Sequence, residues 1–177
     1  MKIIYSLFIM CGLVLLTSCQ QQNPALTEEQ KTRITDSARQ VVEKVLRLSN
    51  RLDFQSALDH YSGDPDARYI ENGSVFPSLK VMRSAYEQFG SIIETLENRV
   101  DRWDSMVLSE DAVLFVLPFH FTIKAKGLPE YNGAYMWSAV VQKRYGKWTI
   151  VHTHESWLNF AEAMAALTPP DPEEENK

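Results

Sequence analysis

Two histidines near the end of the chain, His152 and His154, have the spacing of a metal-binding pair. They lie in an alternating run of residues that predicts a β-strand, so both side chains would share one face about 7 Å apart. His120, in another predicted strand, is a candidate third ligand for an ion such as zinc. No acidic residue or thiol is placed to complete the set on that face, so we expect no metal.

The strand that carries these histidines, Trp148 to Trp157, has two faces of mixed character. Because strand side chains alternate, one face holds Trp148, Ile150, His152, His154 and Ser156, and the other holds Thr149, Val151, Thr153, Glu155 and Trp157. Neither face is purely polar, and a tight turn precedes the run. We therefore expect this strand to be the last one of a curved sheet that is covered on both sides.

Another distinctive residue is Cys19, which follows an apolar run from Ile3 to Leu16. This run is shorter than the about 20 residues that a helix needs to cross a bilayer, so it indicates a secretory signal. The sequence Leu16-Thr-Ser-Cys19 resembles the bacterial lipoprotein cleavage box, with its obligatory cysteine. We therefore predict a signal peptide over residues 1–18 and a lipid on Cys19, rather than an ordinary signal peptide with an incidental cysteine.

Lipidation at Cys19 would determine where the mature chain works. Cleavage removes Cys11, the other cysteine, so no disulfide is expected. Several acyl chains on one residue give stable anchoring, which makes the domain extracytoplasmic and membrane-attached. Gln20 does not match the aspartate that retains lipoproteins at the inner membrane. We expect the outer membrane, facing the periplasm, in a diderm cell, and the outer face of the cell membrane otherwise.

The composition is that of one globular domain with short tails. Of the 177 residues, 45% are hydrophobic and 23% are charged, which are ordinary globular values. The formal net charge is −5, and the lysines and arginines are not clustered. No nucleic-acid partner is therefore expected.

Three helices are predicted in the first half of the domain. The first begins at a capping box, Thr27-Glu-Glu-Gln30, and has apolar residues at three- and four-residue intervals up to Leu52. Asp53 caps a short second helix, and Pro77-Ser78 opens a third. The apolar side of the third helix comprises Leu79, Met82, Tyr86, Phe89, Ile93 and Leu96.

Strands are predicted between and after these helices. Asn72-Gly73 is well suited to a two-residue hairpin turn, so residues 67–71 and 74–76 should form a small hairpin. Four longer β-rich runs follow, namely Val100–Leu108, Ala112–Lys126, Tyr131–Tyr145 and Trp148–Trp157. Helices followed by a long antiparallel meander indicate an α+β fold.

The order of these elements and four short motifs resemble one superfamily. The motifs are Gly146 to Ser156, Leu52-Asp-Phe-Gln-Ser-Ala-Leu58, Ala67-Arg-Tyr-Ile-Glu-Asn-Gly73 and Ser109-Glu-Asp-Ala112. They resemble the nuclear transport factor 2-like superfamily, in particular SnoaL-like domains and the association domain of calcium/calmodulin-dependent kinase II. The resemblance implies a cone-shaped α+β fold, with three N-terminal helices packed in a bent antiparallel sheet. The resemblance covers roughly residues 30–158. With the cleavage site, the capping box and the Pro-rich acidic end, we place a tether at 19–26, the domain at 27–160 and a tail at 161–177 that ends in a disordered acidic stretch.

The resemblance to the kinase association domain also implies which side chains face a pocket. We predict that the ligand-binding residues are Tyr69, Phe119, Tyr135, Trp137, Thr153 and Glu155. The association domain has arginines at the positions of Phe119, Ala139 and Glu155, and this chain lacks all three. The expected ligand is therefore a small, mostly apolar molecule with a cationic or hydroxyl group opposite Glu155. The alternative is that the aromatic side chains simply fill the core.

Ketosteroid isomerase and SnoaL-type cyclases of the same superfamily provide an enzymatic alternative. By that resemblance, Glu71 corresponds to the isomerase base. The groups that would stabilise an enolate are missing, because the first helix has no tyrosine and Tyr135 to Gln142 contains no acid. We therefore assign no catalytic residue and no cofactor. Glu71 stays a candidate base whose side chain is expected to cap the hairpin turn or face solvent.

A homodimer is also predicted, because members of this superfamily often dimerise through their sheets. The face with Trp148, Ile150, His152 and His154 is too apolar to lie in water, so it should be covered by a second copy. Mildly acidic pH should weaken such a dimer by charging its histidines. The predicted function is small-molecule binding by a lipid-anchored domain. A cofactor-free isomerase, cyclase or hydratase is the alternative, and a purely assembling domain is the third interpretation.

Overall fold

The computed structural model describes residues 25–168. The predicted signal peptide, the lipidation site Cys19, most of the tether and the last nine residues of the tail lie outside the described residues. None of the described helices has the length and apolar character needed to span a membrane.

Four helices are present in the described residues: α1 (Glu28–Ser49), α2 (Phe54–Leu58), α3 (Leu79–Ile92) and α4 (Phe160–Ala166). The predicted capping box is present, since the Thr27 hydroxyl accepts from the Gln30 backbone N–H and the Gln30 side chain accepts from the Thr27 N–H. Asp53 caps α2 and Ser78 caps α3, each by accepting a backbone N–H three residues on. These caps satisfy free N–H groups at the places that the sequence indicates.

Seven strands form one open, curved sheet around the helices. They are β1 (Arg68–Glu71), β2 (Ser74–Phe76), β3 (Ile93–Val100), β4 (Asp104–Ser109), β5 (Ala112–Ala125), β6 (Glu130–Arg144) and β7 (Lys147–Trp157). The strand order is β2-β1-β7-β6-β5-β3. β4 lies on the same edge of β5 as β3: β3 pairs with residues 119–125 of β5, and β4 pairs with residues 112–116. The predicted α+β fold is confirmed. The sheet is mixed, because β1 runs parallel to β7 while every other pair is antiparallel.

The boundary between α3 and β3 differs from the prediction. The sequence placed Ile93 and Leu96 on the third helix, whereas the helix ends at Ile92 and both residues belong to β3. A register shift between Ile93 and Thr95 explains the difference. An extra residue in a strand lets two side chains three positions apart face the same side, which imitates helical spacing.

The predicted faces of the last strand also need correction. Val141 pairs with Ile150 while its neighbour Val140 pairs with His152, so Val151 is an extra residue in β7. The alternation reverses at this bulge, and Ile150 is completely buried in the core instead of sharing the outer face with the histidines. Trp148 likewise packs against the core. The predicted dimerisation face therefore loses its two most apolar members.

A close contact between β5 and β6 provides a test of the packing. Gly133 lies opposite Phe121, and a Cβ atom at Gly133 would come within 2.5 Å of the Phe121 ring. We predict that Gly133→Ala lowers the free energy of unfolding by about 1–3 kcal/mol in urea denaturation, because the Phe121 ring must move. Gly63→Ala is the matched control, since a Cβ there meets nothing within 4 Å. Equal stability of the two variants would contradict this packing.

Candidate functional site

A cavity of about 480 Å³ lies between the helices and the inner face of the sheet. Its wall draws on each helix and on the long strands, for example Val42 of α1, Phe54 of α2, Phe119 of β5 and Met164 of α4. Most of the wall is apolar or aromatic. Among the described residues that line it, none is Lys, Arg or His, and the only acids are Glu71 and Glu155. The volume falls in the range of small-molecule sites.

Five of the six predicted ligand-binding residues line this cavity: Phe119, Tyr135, Trp137, Thr153 and Glu155. They meet because β5, β6 and β7 are consecutive in the sheet, with Phe119 opposite Tyr135, and Trp137 opposite Glu155. The rings of Phe119 and Tyr135 stack with centroids 4.7 Å apart, and Trp137 lies edge-on to Phe119. These rings form a rigid aromatic wall.

Tyr69, the sixth predicted residue, does not line the cavity. Its side chain is only 2% exposed, and its hydroxyl lies 2.6 Å from the Ser62 carbonyl oxygen and 3.1 Å from that of Ile150. Tyr61, which does line the cavity, packs against the Tyr69 ring with centroids 5.3 Å apart. The Tyr69 hydroxyl is held by the backbone, so we assign it to the support of the site rather than to ligand contact.

Glu71 occupies a different place from the one predicted. Instead of capping the hairpin turn or facing solvent, it lines the cavity beside Glu155. The parallel register of β1 and β7 sets Glu71 level with Glu155. Asn72 continues the pairing of β1 with β7. Its backbone N–H donates to the Glu155 carbonyl oxygen at 2.9 Å, and its side-chain oxygen accepts the backbone N–H of Trp157 at 2.8 Å. The two carboxyl groups are therefore neighbours in one apolar hollow.

Each carboxyl group has one hydrogen-bond donor from the wall. The Tyr86 hydroxyl of α3 donates to Oε2 of Glu71 at 3.4 Å, and the Trp157 indole N–H donates to Oε1 of Glu155. Tyr135 donates instead to the Asn98 side-chain oxygen at 3.1 Å. The second oxygen of each carboxyl group has no hydrogen-bond donor within residues 25–168 and stays available to a ligand.

Burial makes both carboxyl groups difficult to ionise. Desolvation, reinforced by the negative charge of Glu71, raises the pKa of Glu155 to about 8, although the Trp157 hydrogen bond opposes the change. Desolvation likewise raises the pKa of Glu71 against the Tyr86 hydrogen bond. Two adjacent carboxylates cannot both ionise cheaply in such surroundings. At neutral pH Glu155 therefore retains its proton, and the pair does not carry two full negative charges.

The three histidines do not come together. His152 and His154 lie on the opposite side of the sheet from the cavity wall, where His154 is exposed. His120 contacts Asp101 instead, with 2.6 Å between its Nδ1 and a carboxylate oxygen. Within residues 25–168, no three His, Cys, Asp or Glu side chains are grouped closely enough to hold a metal ion.

The fold is that of the nuclear transport factor 2-like superfamily, and the profile of the SnoaL-like domain family matches residues 38–159. The chain therefore belongs to the SnoaL-like domain family, as its motifs predicted. No curated protein sequence is matched.

Solved structures share the fold at low sequence identity. A nuclear transport factor 2-like superfamily protein of Salmonella enterica serovar Typhimurium is 16% identical, with a TM-score of 0.65 over 72% of this chain and 92% of its own. A type 2 hexachlorocyclohexane dehydrochlorinase is 9% identical, with a TM-score of 0.64 over 76% of this chain and 90% of its own. The association domain of Caenorhabditis elegans calcium/calmodulin-dependent kinase II is 17% identical, with a TM-score of 0.57 over 73% and 99%. At these identities the likeness concerns the fold alone.

The raised pKa of Glu155 predicts a pH-dependent effect on stability. A free glutamate ionises near pH 4.3, so between about pH 4 and 8 the native state binds more protons than the unfolded chain and stability falls as pH rises. We predict that Glu155→Gln removes this loss. The variant should be more stable than the parent by about 1–3 kcal/mol at pH 8.5, and the difference should shrink towards pH 4.

Thermal or urea unfolding across this pH range measures the effect. Glu97→Gln, which neutralises an exposed glutamate of β3, is the control and should leave the pH profile unchanged. Parallel profiles for the parent and Glu155→Gln would contradict burial of this carboxyl group.

Proposed function

We propose that this chain is a lipid-anchored, extracytoplasmic domain that binds one small, mostly apolar molecule in its cavity. The observation that carries the proposal is a hollow of about 480 Å³ with largely apolar and aromatic walls and a single pair of acids, Glu71 and Glu155. A sheet whose aromatic residues merely filled the core would leave no such volume. Convergent polar groups in an apolar pocket are typical of ligand sites.

The charges of the wall disfavour an anionic ligand. Two acids and no basic side chain line the cavity within the described residues, so an anion would meet repulsion without compensation. The positions at which the kinase association domain is expected to carry arginines hold Phe119, Ala139 and Glu155. The site is therefore suited to an apolar body with a group that can meet the carboxyl pair.

Binding can be tested with the neutral fluorescent probe N-phenyl-1-naphthylamine. We predict saturable fluorescence enhancement, and its loss in Ala85→Trp, because Ala85 of α3 lines the cavity and an indole there would fill it. Ser84→Trp is the matched control, since it adds the same ring at an exposed position of the same helix. Absence of saturable binding, or equal binding by both variants, would contradict the proposed site.

The proposed anchor rests on the sequence Leu16-Thr-Ser-Cys19 after an apolar signal. Lipid on Cys19 would hold the domain at the outer membrane, facing the periplasm, of a diderm cell, or at the outer face of the cell membrane otherwise. We predict that Cys19→Ser abolishes labelling by a palmitate analogue, and that a chain beginning at residue 20 is recovered in the soluble fraction. Labelling of the Cys19→Ser variant, or membrane retention of the shortened chain, would contradict lipid anchoring.

A homodimer through the outer face of the sheet is part of the proposal. With Ile150 buried inside, the apolar residues left on that face include Met106, Val116 and Met136, which are 61%, 38% and 41% exposed. His152 and His154 lie on the same side, so their protonation would charge the interface. Light scattering of the shortened chain that begins at residue 20, and so lacks the lipidation site, should show a dimer at pH 8 that weakens at pH 5. A monomer at both pH values would contradict this assembly.

One observation favours a second candidate function, a cofactor-free isomerase, cyclase or hydratase. Glu71 faces the cavity with the Tyr86 hydroxyl 3.4 Å from its carboxylate, which joins a base to a hydrogen-bond donor. The sequence missed this donor because it comes from α3 rather than α1. An enzyme of this type should exchange the α-protons of 2-tetralone in D2O, measured by NMR, and Glu71→Gln should abolish the exchange. Exchange no faster than buffer would leave binding as the function.

A further inference from the structure

The cavity contains two acidic side chains without a basic partner among the described residues. Glu71 and Glu155 are level with each other in the parallel register of β1 and β7, and no basic side chain of the described residues lines the same hollow. Buried carboxylates in folded proteins are usually paired with a cation. We propose that the balancing cation is the ligand itself: an amine whose single ammonium group binds between Glu71 and Glu155 and whose apolar body fills the hollow. This inference rests on the proposed binding function and names the ligand class.

The geometry of the pair suits an ammonium group better than a hydroxyl group. Neighbouring strands lie about 4.8 Å apart, so one nitrogen between the two side chains can donate to both carboxyl groups. Each carboxyl group has one oxygen engaged by the wall, Glu71 by Tyr86 and Glu155 by Trp157. An ammonium group has three donors for the remaining oxygens and also cancels the charge. A hydroxyl group offers one donor and leaves the charge in place.

Aromatic rings next to the pair provide a second, independent reason to expect a cation. Tyr61, Tyr86, Tyr135 and Trp157 all line the cavity. Tyr61 lines the same hollow as Glu71 and Glu155, and burial together with the negative charge of Glu155 raises the pKa of the Tyr61 phenol. Tyr61 makes no side-chain hydrogen bond among residues 25–168, so its oxygen is free to accept one from the ammonium group. Aromatic faces also attract cations.

The rest of the cavity determines the other end of the ligand. Away from the carboxyl pair, most of the wall consists of aliphatic and aromatic side chains such as Val42, Ile93 and Ile123. The Asn98 amide also lines the cavity, but Asn50 and Tyr135 already bind it. A polyamine or an amino acid would therefore leave most of its further polar atoms without partners. A monoamine with an aromatic or aliphatic body matches both ends of the site.

The test compares three probes of nearly the same shape by isothermal titration calorimetry at pH 7: 2-naphthylmethylamine, 2-naphthylmethanol and 2-naphthoate. We predict that the full chain binds the amine at least tenfold more tightly than the alcohol and does not bind the carboxylate. In Glu155→Gln and Glu71→Gln the preference for the amine should fall below threefold while the alcohol still binds. Retained alcohol binding shows that each variant keeps its cavity. Glu97→Gln, which removes an exposed charge, should keep the full preference.

The outcomes separate this inference from the function on which it rests. If the alcohol binds and the amine binds no more tightly, the amine inference is wrong and the apolar binding site stands. If the amine is preferred but the preference survives both glutamate substitutions, the cation is recognised elsewhere and the inference is again overturned. If neither these probes nor N-phenyl-1-naphthylamine bind, the binding function and the ligand class both fail.

Discussion

The parallel pairing of one short strand determines the chemistry of this domain. β1 joins the end of β7, and the backbone hydrogen bonds that continue through Asn72 bring Glu71 level with Glu155. Without that junction, Glu71 would belong to an isolated hairpin and Glu155 would be a lone acid in an aromatic wall. With it, two carboxyl groups share one apolar hollow. Ionising both carboxyl groups in this hollow is unfavourable, so the pair is stabilised by retaining a proton or by binding a cationic ligand.

The β-bulge at Val151 lets the last strand serve two purposes. Before the bulge, Ile150 points into the packed end of the cone, where its exposure is zero. After it, Thr153 and Glu155 point into the hollow, and the histidines point outward. A strand without an extra residue would put Ile150 and Glu155 on opposite sides. The packed half and the open half of the cone therefore depend on this single insertion, which is a common way to redirect side chains near sites.

Much of the fold and the aromatic wall of the site could be predicted from the sequence, for identifiable reasons. Caps such as Thr27 are local signals, so the starts of the helices were predicted correctly. The alternation of side chains within a strand is also local, so Phe119 of β5 and Tyr135 of β6 were correctly predicted to face the cavity. Bulges break local periodicity, which is why Ile93 was assigned to a helix and Ile150 to the outer face. Contacts between distant segments leave no local signal. Glu71 and Glu155 are neighbours because β1 pairs with β7, and the periodicity of the sequence does not reveal which strands pair.

The central claim is that these two carboxyl groups are neighbours in one apolar cavity. Carbon-13 NMR of protein labelled at the glutamate carboxyl carbons tests it directly, with the two signals assigned by Glu71→Gln and Glu155→Gln. The structure predicts that the Glu155 signal titrates well above the range of the exposed glutamates, and that Glu71→Gln lowers its midpoint by removing a neighbouring charge. Independent titration of both groups near the ordinary glutamate pKa of about 4.3 would contradict the account.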